Sequence, residues 1–179
     1  FGIENAYAVI VRRGADPGDS KSGPINAIIP DNIPSHHGVD VQTIMKGLPI
    51  VPAAVKVPTT IMHLHVVSVR LRKSVSEKGI LEAFDKENRD ILVEEKMGLK
   101  STAEIMEMAR DMGRKRGDLY ETAVWKESVS IRNGVLYFMQ AVHQESDIIP
   151  DNIDAIRAMC GIVEKETSIA KTNKAMGIR

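Results

Sequence analysis

Cysteine is almost absent from this 179-residue chain: Cys160 is the only one. A single thiol excludes an internal disulfide framework and fits a reducing compartment. Long apolar runs are missing as well. None approaches the roughly 18–20 residues that a membrane-spanning helix needs, and no secretory signal opens the sequence. Neither sign of charge is in excess, with 24 Lys+Arg against 24 Asp+Glu. No basic run is longer than Arg114-Lys115-Arg116, so the footprint of a nucleic-acid binder is not there. The Gly-x-Gly-x-x-Gly fingerprint of a dinucleotide fold is also lacking. What remains is enough for one domain with a full core. The chain opens at Phe1-Gly2-Ile3 without a methionine, which reads as a piece of a longer protein.

Periodicity places the elements. Ala6 to Arg13, Val51 to Val57, Ile61 to Arg72 and Ile91 to Glu95 are predicted strands, rich in β-branched residues. Residues 14 to about 48 form a long connection rich in Gly, Pro, Asp and Ser, with a short helix over Val39 to Met45. Ser74 to Lys86 and Ser101 to Lys115 are predicted helices. Each opens on a capping-box spacing, Ser74 with Glu77 and Ser101 with Glu104. Asn133-Gly134 predicts a tight hairpin between Ala123–Arg132 and Val135–Val142, with Trp125 and Tyr137 paired across it. A final helix is expected from Ile153 to about Lys174, opened by Pro150-Asp151-Asn152. The class is α+β, a mixed, mainly antiparallel sheet with helices on one face.

Five histidines fall into three short segments, at 36/37, 63/65 and 143. Brought together by folding, such a cluster moves protons or holds a metal near neutral pH. Strand alternation sets Ile61, His63, His65 and Val67 on one face. His-x-His suits zinc or iron, and His37, His143, Asp40 or Glu145 could complete a ligand set, but no spacing is diagnostic. The bland alternative is a sheet histidine with both nitrogens satisfied. Arg12 and Arg13 suit an anion or a solvated strand end. Ser35-His36-His37-Gly38 suits an anion site or a plain turn. Gln144 can hold an amide through two hydrogen bonds or merely leave a strand. Cys160, among Ile156, Met159 and Ile162, reads as an inert core thiol. Met106, Met108 and Met112 read as core filler.

Six segments taken together carry a resemblance. They are Arg12-Arg13-Gly14-Ala15-Asp16-Pro17, Lys21-Ser22-Gly23-Pro24-Ile25-Asn26-Ala27, Pro34-Ser35-His36-His37-Gly38, Pro58-Thr59-Thr60-Ile61-Met62-His63, Ser101-Thr102-Ala103-Glu104 and Ala141-Val142-His143-Gln144-Glu145-Ser146. With the tail segments Asn152 to Ala158 and Lys171 to Met176, the whole chain resembles the archaeal-type phosphorylating glyceraldehyde-3-phosphate dehydrogenases, in their C-terminal catalytic domain. The resemblance implies that residues 1–179 are that domain, without the Rossmann domain apart from the returning helix at about 151–179. It implies oxidation of D-glyceraldehyde 3-phosphate with inorganic phosphate and NAD or NADP, in the glycolytic or gluconeogenic direction. It also implies a cytoplasmic homotetramer with no nucleic-acid or membrane partner. His63 matches the catalytic base, His37 and Gly38 the substrate-phosphate site, and Arg13 and Gln144 the cofactor contacts. No metal is implied. The long loop would lie at the tetramer interface, and His65 and Arg12 would stand just behind the site.

The family nucleophile sits in a Ser-Cys-Asn-Thr-Thr motif, which does not occur here, and Cys160 does not match it. The expectation is an isolated chain inactive by itself. Three other readings stand beside this one: a semialdehyde dehydrogenase domain, a non-catalytic module that self-associates through its sheet, and a histidine metalloprotein. The His37-Gly38 motif counts against the first of them.

Overall fold

The computed structural model describes residues 1–14, 27–162 and 164–178. Part of the long connection, residues 15–26, lies outside the described residues. The strands are β1 (Ile3–Arg13), β2 (Ile29–Pro30), β3 (Ile50–Val57), β4 (His63–Leu71), β5 (Asp90–Val93), β6 (Thr122–Trp125), β7 (Ser130–Arg132) and β8 (Val135–Val142). The helices are α1 (His37–Ile44), α2 (Glu77–Lys86), α3 (Thr102–Asp111), α4 (Gln144–Met159) and α5 (Lys165–Met176). One sheet runs in the order β2-β3-β1-β4-β8-β6-β5, with β7 paired to β8. β1/β3 and β5/β6 are parallel, and every other pair is antiparallel.

The α+β class and the mixed, mainly antiparallel sheet agree with the sequence. The helices, however, divide between the two faces. Ile91 and Leu92 in β5, like Ala123 and Val124 in β6, are neighbours that point to opposite sides. Both sides are apolar, so each takes a helix. Ile105, Met106 and Ala109 of α3 pack with Ala123, Val93, Leu119 and Ala141. Ile80, Leu81 and Phe84 of α2 pack with Val124, Val69, Leu136 and Phe138.

Asn133 and Gly134 carry the positive φ values, 52° and 75°, that a two-residue hairpin demands. The strand expected before them is split. A single turn at Lys126–Ser128 interrupts it, and the Ser128 hydroxyl accepts from the Met139 N–H at 2.8 Å in place of a ladder partner. Trp125 therefore belongs to β6 and donates its indole N–H to the Leu99 carbonyl at 2.7 Å, while Tyr137 stands opposite Ser130. The expected Trp125–Tyr137 pair does not form.

The tail differs more. The expected single helix is two. α4 starts nine residues early, at Gln144 rather than at Ile153, and carries Pro150 buried in its interior. It stops at Gly161, whose φ of 62° lets the Ile162 N–H reach back to the Arg157 carbonyl at 3.2 Å. Cys160, expected in the core, is exposed at this helix end. Arg89 ties α4 and α5 to the rest of the chain through Asp151, Asp154 and Asn173. Among the described residues no helix is long and apolar enough to cross a membrane.

Candidate active site

β1 and β8 both run antiparallel to β4, so the ends of β1 and β8 meet the start of β4 at one end of the sheet. Arg13 is the last residue of β1, and His63, the first of β4, pairs with Val142, the last of β8. Gln144 opens α4 two residues beyond Val142. Met62, just before His63, is buried and holds a left-handed φ of 59°. A bulky residue adopts that backbone only where its surroundings enforce it, and such positions cluster at functional sites. The turn also breaks the alternation expected here. Ile61 lines a cleft with Met62 and Leu64 on the opposite side of the sheet from His63.

His63 is 5% exposed, and its Nδ1 is buried without a hydrogen-bond partner among the described residues. The bland reading of a satisfied sheet histidine is therefore not met. His65 differs, because its Nδ1 lies 3.2 Å from the Gln140 amide nitrogen. The two rings stand edge to face with centroids 6.3 Å apart. Among the described residues no group of three His, Cys, Asp or Glu side chains is placed to hold a metal ion.

Charge completes the picture. Burial pushes the His63 imidazole down to about 4, helped by the guanidinium groups of Arg13 and Arg12 and by His37 and opposed by the Met62 backbone. His65 is also pushed down to about 4, by burial and then by His63 and His37. His37 is lowered by burial, His36 and Arg12, against the opposing pull of Asp40 and Asp31. Arg12, Arg13, His37, His63 and His65 thus lie within electrostatic reach of one another, drawn from β1, α1 and β4, with Asp31 3.7 Å from Arg12. His37 Nδ1 lies 3.0 Å from the Ser35 hydroxyl. Gly38 is buried against Pro52, which leaves no room for a side chain.

Arg13 is buried, and its Nη1 forms an ion pair with Glu145 Oε1 at 3.0 Å. That ion pair joins the end of β1 to the first turn of α4, beside the exposed Gln144. Sequence reasoning found Arg13 and Gln144 but gave Glu145 no part beyond a spare metal ligand. Nothing in the spacing of positions 13 and 145 announces the pair, and only the strand order reveals it.

Comparison with known proteins gives the family. The model for the glyceraldehyde 3-phosphate dehydrogenase C-terminal domain matches residues 1–128. The chain belongs to that family. It is 52% identical over 181 residues to glyceraldehyde-3-phosphate dehydrogenase of Methanopyrus kandleri, covering 99% of this chain and 52% of that protein. The enzyme of Methanobacterium formicicum is 54% identical over 180 residues, covering 99% of this chain and 53% of its own. That of Pyrococcus abyssi is 53% identical over 173 residues, covering 96% and 52%. The chain thus spans about half the length of these relatives. Within the glyceraldehyde 3-phosphate dehydrogenase domain match lie Arg13, His37, Gly38 and His63, whereas Gln144 lies beyond it.

Proposed function

We propose that this chain is the catalytic domain of an NAD(P)-dependent phosphorying-type aldehyde oxidoreductase, a glyceraldehyde-3-phosphate dehydrogenase, with His63 as its base. One observation carries the assignment: an imidazole buried at the start of a strand, next to a left-handed residue, with no hydrogen-bond partner for Nδ1 among the described residues. Held below its usual range by burial and two arginines, the ring is neutral near pH 7 and free to accept a proton.

In the proposed reaction the aldehyde and inorganic phosphate become an acyl phosphate. His63 takes the proton of the nucleophilic thiol, gives it to the substrate oxygen as sulfur adds to the aldehyde, and takes it back as the hydride leaves and the carbonyl is restored. Phosphate then displaces the sulfur, which recovers the proton from His63. NAD or NADP, when bound, accepts the hydride. Gln144 fits such a cofactor, since it is exposed beside Glu145 and a carboxamide pairs with another amide through two hydrogen bonds. Arg13 forms the wall beside it and shares its guanidinium with Glu145. His37, with Arg12 nearby and the first turn of α1 behind it, supports a phosphate position. Gly38 lets α1 lie close on β3 there.

The thiol is not Cys160. That residue ends the 16-residue helix α4, which at 1.5 Å per residue sets it roughly 24 Å from Gln144. We therefore assign the nucleophile to sequence beyond these 179 residues and expect no turnover from the chain alone. The proposal includes a cytoplasmic homotetramer. What supports assembly is the sheet face opposite His63, where Tyr7, Val51, Val66, Tyr137 and Met139 are all at least one-third exposed.

The test is His63→Asn in the full-length enzyme, assayed with glyceraldehyde 3-phosphate, phosphate and NAD or NADP. Loss of a general base lowers kcat by about 10²–10⁴-fold. Unchanged turnover would reject the assignment.

A further inference from the structure

His143 has no place in the chemistry above, yet it is 6% exposed, its Nδ1 is hydrogen-bonded and its Nε2 stands beside a carboxylate. The Leu119 backbone N–H donates to Nδ1 at 3.2 Å. A backbone N–H can only donate, so Nδ1 is the acceptor and the ring proton sits on Nε2. The Ser146 hydroxyl lies 3.1 Å from the same Nδ1 but gives its proton to Asp118 Oδ1 at 2.9 Å, and Arg116 holds Asp118 from outside. Nε2 then faces Glu145 Oε2 at 3.3 Å. The other oxygen of that carboxylate forms the ion pair with Arg13 Nη1 at 3.0 Å. The Glu145 side chain is 41% exposed. A long carboxylate that open to water would otherwise spread over several rotamers.

We infer that His143 is a positioning residue: anchored by one nitrogen to the Leu119 backbone, it uses the other to fix Glu145, and Glu145 fixes the Arg13 guanidinium against the His63 pocket. The inference deepens the reading of His63 as the base and rests on it. The groups that face His63 are Arg13 and Arg12 from β1, His37 from α1 and His65 from its own strand, and among these charges Arg13 weighs most. Movement of Arg13 therefore changes how readily His63 takes a proton.

Two substitutions separate this role from simple packing. His143→Asn keeps an acceptor near the position of Nδ1 for Leu119 but has no donor toward Glu145. His143→Gln reaches the position of Nε2 and keeps that donor. The full chain is labelled with 15N at arginine and histidine. We expect Gln at 143 to preserve slowly exchanging Arg13 guanidinium signals and the His63 titration midpoint. With Asn the Arg13 signals exchange faster than with Gln and the His63 midpoint rises by roughly half a pH unit, as expected when a nearby cation shifts away. Identical behaviour of the two variants, in either direction, overturns the inference. Should either fail to fold, Glu145→Gln at the half-exposed end of the relay decides. Arg13 signals that stay sharp there also overturn it. Retained turnover in His63→Asn would remove the catalytic reading alone, because the Arg13 signals are read without any assay.

Discussion

An imidazole that titrates near pH 4 is an acceptor at neutral pH and a poor partner for an anion. That suits a base before catalysis. It also distinguishes His63, the proposed base, from His65: both rings are neutral, but the Nδ1 of His65 is occupied by Gln140. Alternation along β4 placed both histidines on one face from sequence alone. The difference between them depends on Gln140, 75 residues away in β8, and no local pattern carries it. Gly38 is a second residue whose meaning is spatial. A Cβ there would lie 2.9 Å from Pro52 Cδ and 3.1 Å from its Cγ, and a proline ring cannot swing aside. Helix propensity alone says that Gly38→Ala should stabilise α1 by up to ~1 kcal/mol. Overpacking costs about 1–3 kcal/mol, so we expect a net loss of about 1 kcal/mol in urea unfolding, with α1 displaced from β3. A gain in stability would mean that packing on Pro52 does not constrain this position.

Helix boundaries test how far local chemistry reaches. The start of α3 was legible: Ser101 Oγ accepts the Glu104 N–H at 3.4 Å, and Glu104 Oε2 accepts the Lys100 N–H at 2.7 Å. The start of α2 was not. The Ser74/Glu77 spacing is right for a box, but the cap is Ser76, whose hydroxyl accepts the Gly79 N–H at 3.1 Å. Glu77 is drawn away by tertiary structure, its Oε1 accepting the Ile131 N–H of β7 at 2.9 Å. Loss of a cap costs about 1 kcal/mol, whereas a surface change that removes no such feature stays within about 0.5 kcal/mol. Ser76→Ala should therefore lower stability by about 1 kcal/mol and Ser74→Ala hardly at all, as measured by thermal or urea unfolding. Equal effects would restore the box that the sequence suggested. In the tail, the sequence predicts a helix start at Pro150-Asp151-Asn152 and no stop at Gly161. A proline inside a helix forfeits one backbone bond, and burial of Pro150 among packed neighbours offsets that loss. Sequence shows the breaker but not the packing.

At the scale of the molecule, the sheet order brings residues 13, 37, 63 and 144 to one end, and periodicity is silent on order. The same folding buries ionisable groups of opposite linkage. His63 and His65 fall from 6.5 to about 4. Between those values the unfolded chain binds protons that the native one does not, so both histidines make stability fall as pH drops from 6.5 to 4. Asp90 and Asp147 rise from 3.8 to about 6, each chiefly by burial, with Glu87 adding to the first and Asp151 to the second. Here the native state binds the protons, so both carboxyls make stability fall as pH rises from 4 to 6. Two slopes of each sign overlap in one window and largely cancel. His37, also lowered, tips the balance slightly toward loss on acidification. Below that window Asp154, held low by Ser168, Arg89 and Thr172 against its own burial, begins to lose its stabilising charge. The native chain should therefore show nearly constant unfolding free energy from pH 6 to about 4, followed by a decline. Replacing Asp90 and Asp147 together with Asn deletes one set of slopes. Urea midpoints of that variant should fall steadily from pH 6.5 to 4 while those of the parent stay level. Parallel curves for the two proteins would mean that these four groups do not govern acid stability.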